Sequence, residues 1–217
     1  MNPRFRLRII DPSWVRPLFP WIWWRGPGNA VYLTFDDGPD PEVTPRVLDC
    51  LSNAGAKAAF FALGRMALLH PGLVERIVLE GHDLGNHGFD HRRLDRMSSA
   101  KALGQIEKTA DILEKITSKR PVLFRPPYGR FDPRFKKWMG ITGNRMVLWN
   151  LMSYDFDETD TDHLVRRIES RLSPGSLIVL HDGLRGTPLL SALPGVLTAI
   201  RFRGLTAESL MGNQHGA

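Results

Sequence analysis

At 217 residues, 42% of them hydrophobic, the chain suits one large globular domain with a real core. Its single cysteine, Cys50, excludes an internal disulfide framework. The net charge of +6 is uneven: Arg4, Arg6, Arg8, Arg16 and Arg25 against Asp11 give the first 25 residues +4, and the remaining +2 argues against a broad nucleic-acid-binding face.

The same leading segment holds Phe5, Trp14, Phe19, Trp21, Trp23 and Trp24. WVRPLFPWIWW mixes Trp and Arg as membrane-interface segments do, but it is short and interrupted by Pro17 and Pro20. It is too short to span a bilayer, and it lacks the apolar core and small-residue cleavage site of a secretory signal. The expectation is a lead-in over 1–28 that packs its aromatics onto the domain. The alternative is weak contact with an anionic membrane surface; with neither a signal peptide nor a transmembrane helix visible, the expected location is the cytoplasm or the inner membrane face. The domain proper is expected over 29–208, with a tail over 209–217.

From residue 30 onward, short apolar strands alternate with amphipathic helices. Strands are expected at Val31–Phe35, Ala58–Leu63, near Asp83–Gly85, at Val122–Phe124, Met146–Leu148 and Leu177–Leu180. Helical periodicity marks Val43–Asn53, where Cys50 reads as a packed, inert thiol. It also marks Pro71–Glu80, Ser98–Thr117 with two candidate Ser caps, and Asp162–Leu172. No repeat or low-complexity tract interrupts this alternation, so the fold class is α/β, a single domain around a largely parallel sheet.

The polar residues fall at strand ends, where α/β folds gather their chemistry. AVYLTFDDGPDP (30–41) delivers Asp36 and Asp37 together; neighbouring carboxylates call for a cation or a division of labour, one binding a metal and the other moving a proton. GNHGFDH (85–91) follows, with His87 and His91 four residues apart. With Asp37 they make a two-His-one-carboxylate set that leaves coordination positions open. His82 reads as part of the surrounding structure. In FRPPYGR (124–130) two prolines and a glycine stiffen the loop, so Arg125 can be aimed at Asp36 to hold it ionised and oriented. Backbone N–H groups of that loop suit a developing oxyanion. SLIVLHDG (176–183) delivers His181, an acid if a carboxylate sets its tautomer; Asp155 is the candidate, with Asp157 and Asp182 as rivals.

The ordered set TFDDGP, HGFDH, RPPYG, WNLMSYDF and LIVLHD resembles the polysaccharide deacetylases (carbohydrate esterase family four, the NodB homology domain) over about residues 30–205. The resemblance implies a distorted, incomplete (β/α) barrel that hydrolyses N-acetyl groups on amino-sugar polymers. It makes Asp36 the general base and Asp37, His87 and His91 the ligands of a divalent metal, zinc before cobalt or nickel. Arg125 then orients Asp36, and His181 is the acid steadied by Asp155. Tyr128, Trp149 and Phe156 fall where substrate or oxyanion contacts are expected. Two positions depart from the family pattern. Gly88 stands where Ser or Thr usually follows the first metal histidine, and Phe156 stands where Trp usually follows Asp155, so an aromatic wall remains without the indole N–H.

Amide hydrolysis uses every part. An amide is a poor electrophile and water a poor nucleophile, so a Lewis acid, a base for water and an acid for the leaving nitrogen are all required. Rival readings leave parts idle. A facial-triad iron oxygenase gives Asp36 and His181 no task. An aspartate-nucleophile phosphatase needs a second carboxylate where Gly38 stands. A carbohydrate-binding domain that keeps the fold without turnover would have lost at least one of Asp36, Asp37, His87, His91 or His181, and all are present.

Overall fold

The computed structural model describes residues 16–212. Trp14 and the first three arginines of the leading segment lie outside the described residues. Seven strands, all parallel, form one sheet: β1 (Tyr32–Asp36), β2 (Ala58–Ala62), β3 (Asp83–Asn86), β4 (Leu123–Phe124), β5 (Arg145–Met146), β6 (Leu151–Met152) and β7 (Leu177–His181), in the order β5-β4-β3-β2-β1-β7-β6. The edge strands β5 and β6 belong to one continuous segment, with only residues 147–150 between them. The sheet therefore curls into an incomplete barrel whose rim is drawn together by residues 145–152.

Strand alternation sorts side chains between two apolar clusters. On β1, Leu33 and Phe35 pack outward, with Ile178 and Leu180 of β7, against helices α1 (Thr44–Asn53), α6 (Thr161–Glu169) and α7 (Leu189–Phe202). Tyr32, Ala59, Phe61, Leu177 and Val179 face the barrel interior with Phe124, Val147 and Trp149. Helices α2 (Gly64–Leu69), α3 (Pro71–Leu79), α4 (Ser99–Thr117) and α5 (Arg134–Thr142) complete the outer layer. Ser98 caps α4 through its hydroxyl, and Asp160 caps α6. No helix among the described residues is long and apolar enough to cross a membrane.

Sequence periodicity locates six of the strands and four of the helices. Strand β6 escapes it because two residues carry no alternation, and α7 because Pro194 lies inside it. Strand β5 begins one residue earlier than expected, and beyond it Val147 is bridged by Trp23.

That bridge settles where the described part of the leading segment goes. Trp23 N–H donates to Met146 O, and its carbonyl accepts from Leu148 N–H, so this residue lies against the segment that closes the barrel. Ile22 and Trp24 are buried in the interior cluster, and Phe19 and Trp21 pack edge-on against Phe131. At the other end Leu210 joins the same cluster, and Met211 N–H donates to Asp83. Residues on both sides of the 29–208 span thus contribute to its core. Trp24→Ala is expected to cost about 3–5 kcal/mol of unfolding free energy, as for other buried aromatic truncations, read from a denaturant melt.

Candidate active site

Parallel register places the reacting groups side by side. Asp36 ends β1 and His181 ends β7; the two are paired positions, and both lie on the interior-facing side that Tyr32, Leu177 and Val179 define. Both residues therefore stand at the C-terminal mouth of the barrel, their backbones one strand spacing apart, about 4.8 Å.

Arg125 lies beneath Asp36, wholly buried. One terminal nitrogen donates to Asp36 Oδ1 and to Thr34 Oγ1, both at 2.7 Å; the other donates to Leu148 O at 3.0 Å, and Nε to Val147 O at 3.2 Å. The guanidinium also lies 4.1 Å over the Phe61 ring. Burial pulls the Arg125 pKa below its usual value, and the Asp36 carboxylate opposes that shift. Asp36 Oδ2 is left facing His87, 3.8 Å from Nε2.

His87, His91 and Asp37 converge so that one ligand atom from each lies within 4.8 Å of the others. His87 is fully buried, and burial drives its pKa down to about 3, so the ring is neutral. Its Nδ1 lies 2.8 Å from Arg125 O. A carbonyl can only accept, so Nδ1 carries the proton and the Nε2 lone pair points into the cluster. His91 Nε2 is 3.2 Å and His87 Nε2 3.6 Å from Asp37 Oδ1. That oxygen is buried and accepts no hydrogen bond among the described residues. A buried carboxylate oxygen without a donor, facing an imidazole lone pair, fits a divalent cation and leaves the group otherwise unsatisfied.

His181 meets Asp155, not Asp157 or Asp182. Its Nδ1 lies 2.8 Å from Asp155 Oδ1, and its backbone N–H donates to Asp155 Oδ2 at 2.8 Å. Ser153 Oγ donates to the same carboxylate at 2.8 Å. Burial disfavours the charged ring, but the Asp155 hydrogen bond and charge, with Asp36 and Asp37, outweigh it and raise the His181 pKa to about 9. Nδ1–H is thereby committed to Asp155, and Nε2 is the atom left for substrate.

The aromatic candidates separate by exposure. The Tyr128 ring is more than half exposed and lies 4.4 Å from that of His91; Phe156, also exposed, stands edge-on to His181 at 5.3 Å. Trp149 is buried under the turn carrying Tyr128, where a Cβ on Gly129 would come within 2.5 Å of its ring. Gly88 has φ +78, a conformation that a Ser or Thr there would enter only with strain. Its loop is held by other means: Gly88 N–H donates to Asn86 Oδ1, and Gly88 O accepts from Gly64 N–H. His82 sits away from the cluster, accepting from Ala58 N–H, with a pKa lowered to about 4 by burial. Cys50 is half-buried in α1, and burial pushes its thiol pKa up.

Sequence reasoning missed a clasp that joins the loops after β1 and β7. Thr44 Oγ1 donates to Asp182 Oδ2 at 2.5 Å and accepts from Asp40 N–H, while Asp40 Oδ2 takes the Arg185 Nε–H at 2.8 Å. Asp182 is buried, and burial raises its pKa to about 7. Gly38 and Gly183 let the two loops touch: a Cβ on Gly38 would fall 2.3 Å from the Asp182 carboxylate, and one on Gly183 2.5 Å from the Asp37 carbonyl. The run DGPDPEVT, an Asp three residues before an apolar helix pattern, is the signal that could have found Asp40. Nothing local announces Thr44 or Asp182 as partners, since they are far apart in sequence.

The comparisons with known proteins agree with this geometry. The family model described as polysaccharide deacetylase matches residues 25–147. A chitooligosaccharide deacetylase of Azorhizobium caulinodans is 34% identical over 84% of this chain and 93% of its own length. A peptidoglycan-N-acetylglucosamine deacetylase of Bacillus cereus is 35% identical over 82% of this chain and 66% of its own length. Among solved structures, the Bc1960 peptidoglycan N-acetylglucosamine deacetylase, bound to 4-naphthalen-1-yl-N-oxidanyl-benzamide, superposes with a TM-score of 0.86. It is 31% identical, and the match covers 94% of this chain and 97% of that one.

Removing a ligand should separate metal binding from folding. His87→Ala and Asp37→Asn are expected to lose tight divalent-metal binding in calorimetric titration while keeping a cooperative melt, because the cluster stands at the barrel mouth. Asp36→Asn should keep the metal. Gly183→Ala should weaken it, since the new Cβ displaces the Asp37 backbone.

Proposed function

The chain belongs to the polysaccharide deacetylase family, and from that footing we propose that it hydrolyses the N-acetyl group of an N-acetylglucosamine polymer, releasing acetate and leaving the sugar amine. The observation that carries this reading is the pairing of Asp36 with His181 on adjacent strands, beside the Asp37, His87 and His91 cluster. A non-catalytic binding domain has no use for that set. Chitin oligomers and the glycan strand of peptidoglycan are the substrate classes that the relatives' names suggest.

Each side chain has a separable task. Asp37, His87 and His91 would hold the divalent ion, zinc being the best match to two imidazoles and a carboxylate, with cobalt or nickel able to substitute. Such an ion polarises a carbonyl and lowers the pKa of water. Asp36 has one oxygen fixed by Arg125, so Oδ2 is the atom that accepts the proton of the attacking water. In the Pro126–Gly129 turn the prolines carry no N–H and that of Gly129 donates to Pro126 O, so the Tyr128 N–H, on the His91 side, would receive the tetrahedral oxyanion. Amide nitrogen does not leave as an anion. His181 Nε2–H therefore protonates it, while Asp155 keeps the ring oriented and takes up the charge that remains between turnovers. Phe156 and Tyr128 flank the acetamide from opposite sides, against His181 and His91.

Metal-loaded protein incubated with chitotetraose and with peptidoglycan strands should release acetate in step with new free amines; neither product from either glycan would refute the reading. Asp36→Asn should lower kcat by about 10²–10⁴-fold, the usual scale for loss of a general base. The pH dependence has a definite sign. Protonated His181 is present below its pKa and is lost as pH rises through it, so activity falls on the alkaline side, at or below about pH 9 because a cation at Asp37 opposes part of the upward shift. Asp155→Asn removes the main stabiliser of the charged ring and should move that alkaline limb of the kcat profile to lower pH.

A further inference from the structure

A third side chain supports the His181–Asp155 pair. Ser153 is wholly buried, as is Asp155. Its hydroxyl donates to Asp155 Oδ1 at 2.8 Å, the same oxygen that lies 2.8 Å from His181 Nδ1. The other oxygen, Oδ2, takes the His181 backbone N–H. Ser153 Oγ accepts from the Asp155 N–H at 3.3 Å, so the direction of the hydroxyl is fixed and its single proton is left for the carboxylate. Tyr154, between the two residues, has φ 62 and turns the chain sharply there. Arg167 of α6 braces the turn: one terminal nitrogen donates to Ser153 O at 2.8 Å, the other to Glu158 Oε2 at 2.7 Å, and the guanidinium lies 5.5 Å from the Tyr154 ring. The hydroxyl is thus held in place from the helix layer.

Two donors on one oxygen compete for its electron density. An Oδ1 that already takes the Ser153 hydroxyl pulls less strongly on Nδ1–H than one bonded to the imidazole alone. The balance matters because an acid must carry its proton at the working pH and still give it up, which favours a pKa close to that pH. Three carboxylates face His181 and raise its pKa to about 9: Asp155 from the loop after β6, Asp36 at the end of β1, and Asp37 beyond it. Asp182, next on its own strand, turns to Thr44, and Arg125 reaches Asp36 on the side away from the ring. Of these neighbours none weakens the Asp155 bond directly. Ser153 does.

Resting on the deacetylase reading above, we propose that Ser153 is a positioning residue that moderates the acid: its hydroxyl holds Asp155 Oδ1 and loosens that oxygen's grip on His181 Nδ1–H, so that Nε2–H passes more readily to the leaving amine. Asp155 makes the imidazole an acid, and Ser153 limits how tightly the proton is kept. The two residues, adjacent in the structure and bonded to each other, therefore act on His181 in opposite senses.

The test uses metal-loaded protein throughout, so that the contribution of a cation at Asp37 is common to every variant. One readout is the low-field proton resonance of His181 Nδ1–H, identified by its loss in Asp155→Asn. The second is the alkaline limb of the kcat profile on chitotetraose or peptidoglycan strands. In Ser153→Ala the resonance should move further downfield. The alkaline limb should move to higher pH by roughly half a unit to one unit, the equivalent of one ordinary hydrogen bond, while kcat at neutral pH falls a few-fold. Ser153→Thr keeps the hydroxyl and should restore both. Should the alanine variant not fold, Ser153→Cys, whose S–H is a weak donor, is expected to shift both readouts in the same direction by less. A resonance and limb that stay at their wild-type positions in Ser153→Ala overturn the proposal. So does a limb that moves to lower pH with loss of the resonance, the direction of Asp155→Asn, which would leave Ser153 only the task of holding its loop. A wild-type spectrum without the low-field signal overturns it as well. Absence of acetate from every glycan would count against the deacetylase reading alone, because the resonance still decides this one.

Discussion

A guanidinium without access to solvent lies under the reaction centre, and its demand for partners organises what surrounds it. A buried charge is costly unless paired and fully hydrogen-bonded. Arg125 meets that demand with Asp36 and Thr34 from β1 and with the carbonyls of Val147 and Leu148 from the segment that draws the barrel edges together. Closing the barrel and aiming the Asp36 carboxylate are therefore one interaction. The packing is fitted to it: a Cβ on Gly85 would fall 2.5 Å from the Phe61 ring on which the guanidinium rests, and one on Gly129 would strike Trp149, whose ring lies 5.5 Å from it. Two glycines thus make room for the aromatic surfaces that hold one arginine.

The site also concentrates backbone strain. Among the described residues five non-glycine positions have positive φ, and four of them, Asp37, His91, Tyr128 and Tyr154, lie in the loops that form the mouth. Left-handed conformations in such residues cost on the order of 1–3 kcal/mol each and persist only where neighbours over-determine them. The neighbours are visible. Asn86 bridges Ile106 O and Gly88 N–H, Pro126 and Pro127 stiffen the turn before Tyr128, and the Thr44–Asp182 hydrogen bond locks the loop that follows Asp37. Stability is spent here on fixing ligand directions before anything binds.

Most of the strand and ligand pattern was legible in sequence because it depends on local regularities. Period-two alternation ending in a polar residue marks Asp36 and His181, and a four-residue spacing marks His87 and His91. What stayed hidden depends on distance along the chain. From the residues alone Asp155 is preferred without excluding Asp157 and Asp182; the fold puts its carboxylate against both Nδ1 and the backbone of His181. The clasp of Asp40, Thr44, Asp182 and Arg185 has no local signature beyond an Asp in the turn that leads into α1. Trp149, which the family resemblance puts among the substrate or oxyanion contacts, is buried beneath Gly129, a placement that depends on the fold of the turn above it. The role of Trp23 and Trp24 turned on a pairing with Val147 that no periodicity encodes.

The two adjacent aspartates pose a geometric problem that the backbone solves. Successive residues of a strand face opposite sides, so Asp36 and Asp37 should point away from each other. The neighbouring strand shows the ordinary outcome. His181, paired with Asp36, faces the mouth, and Asp182 after it turns outward to Thr44 of α1. Asp37 escapes that fate because its φ of 74° reverses the chain immediately after β1 and swings its carboxylate back toward His87 and His91. Gly38 and Gly183 are what permit the reversal, since any side chain at either position would collide with the loop of the neighbouring strand. Two carboxylates with different partners, Arg125 for Asp36 and the imidazoles for Asp37, can then converge on one centre from consecutive positions.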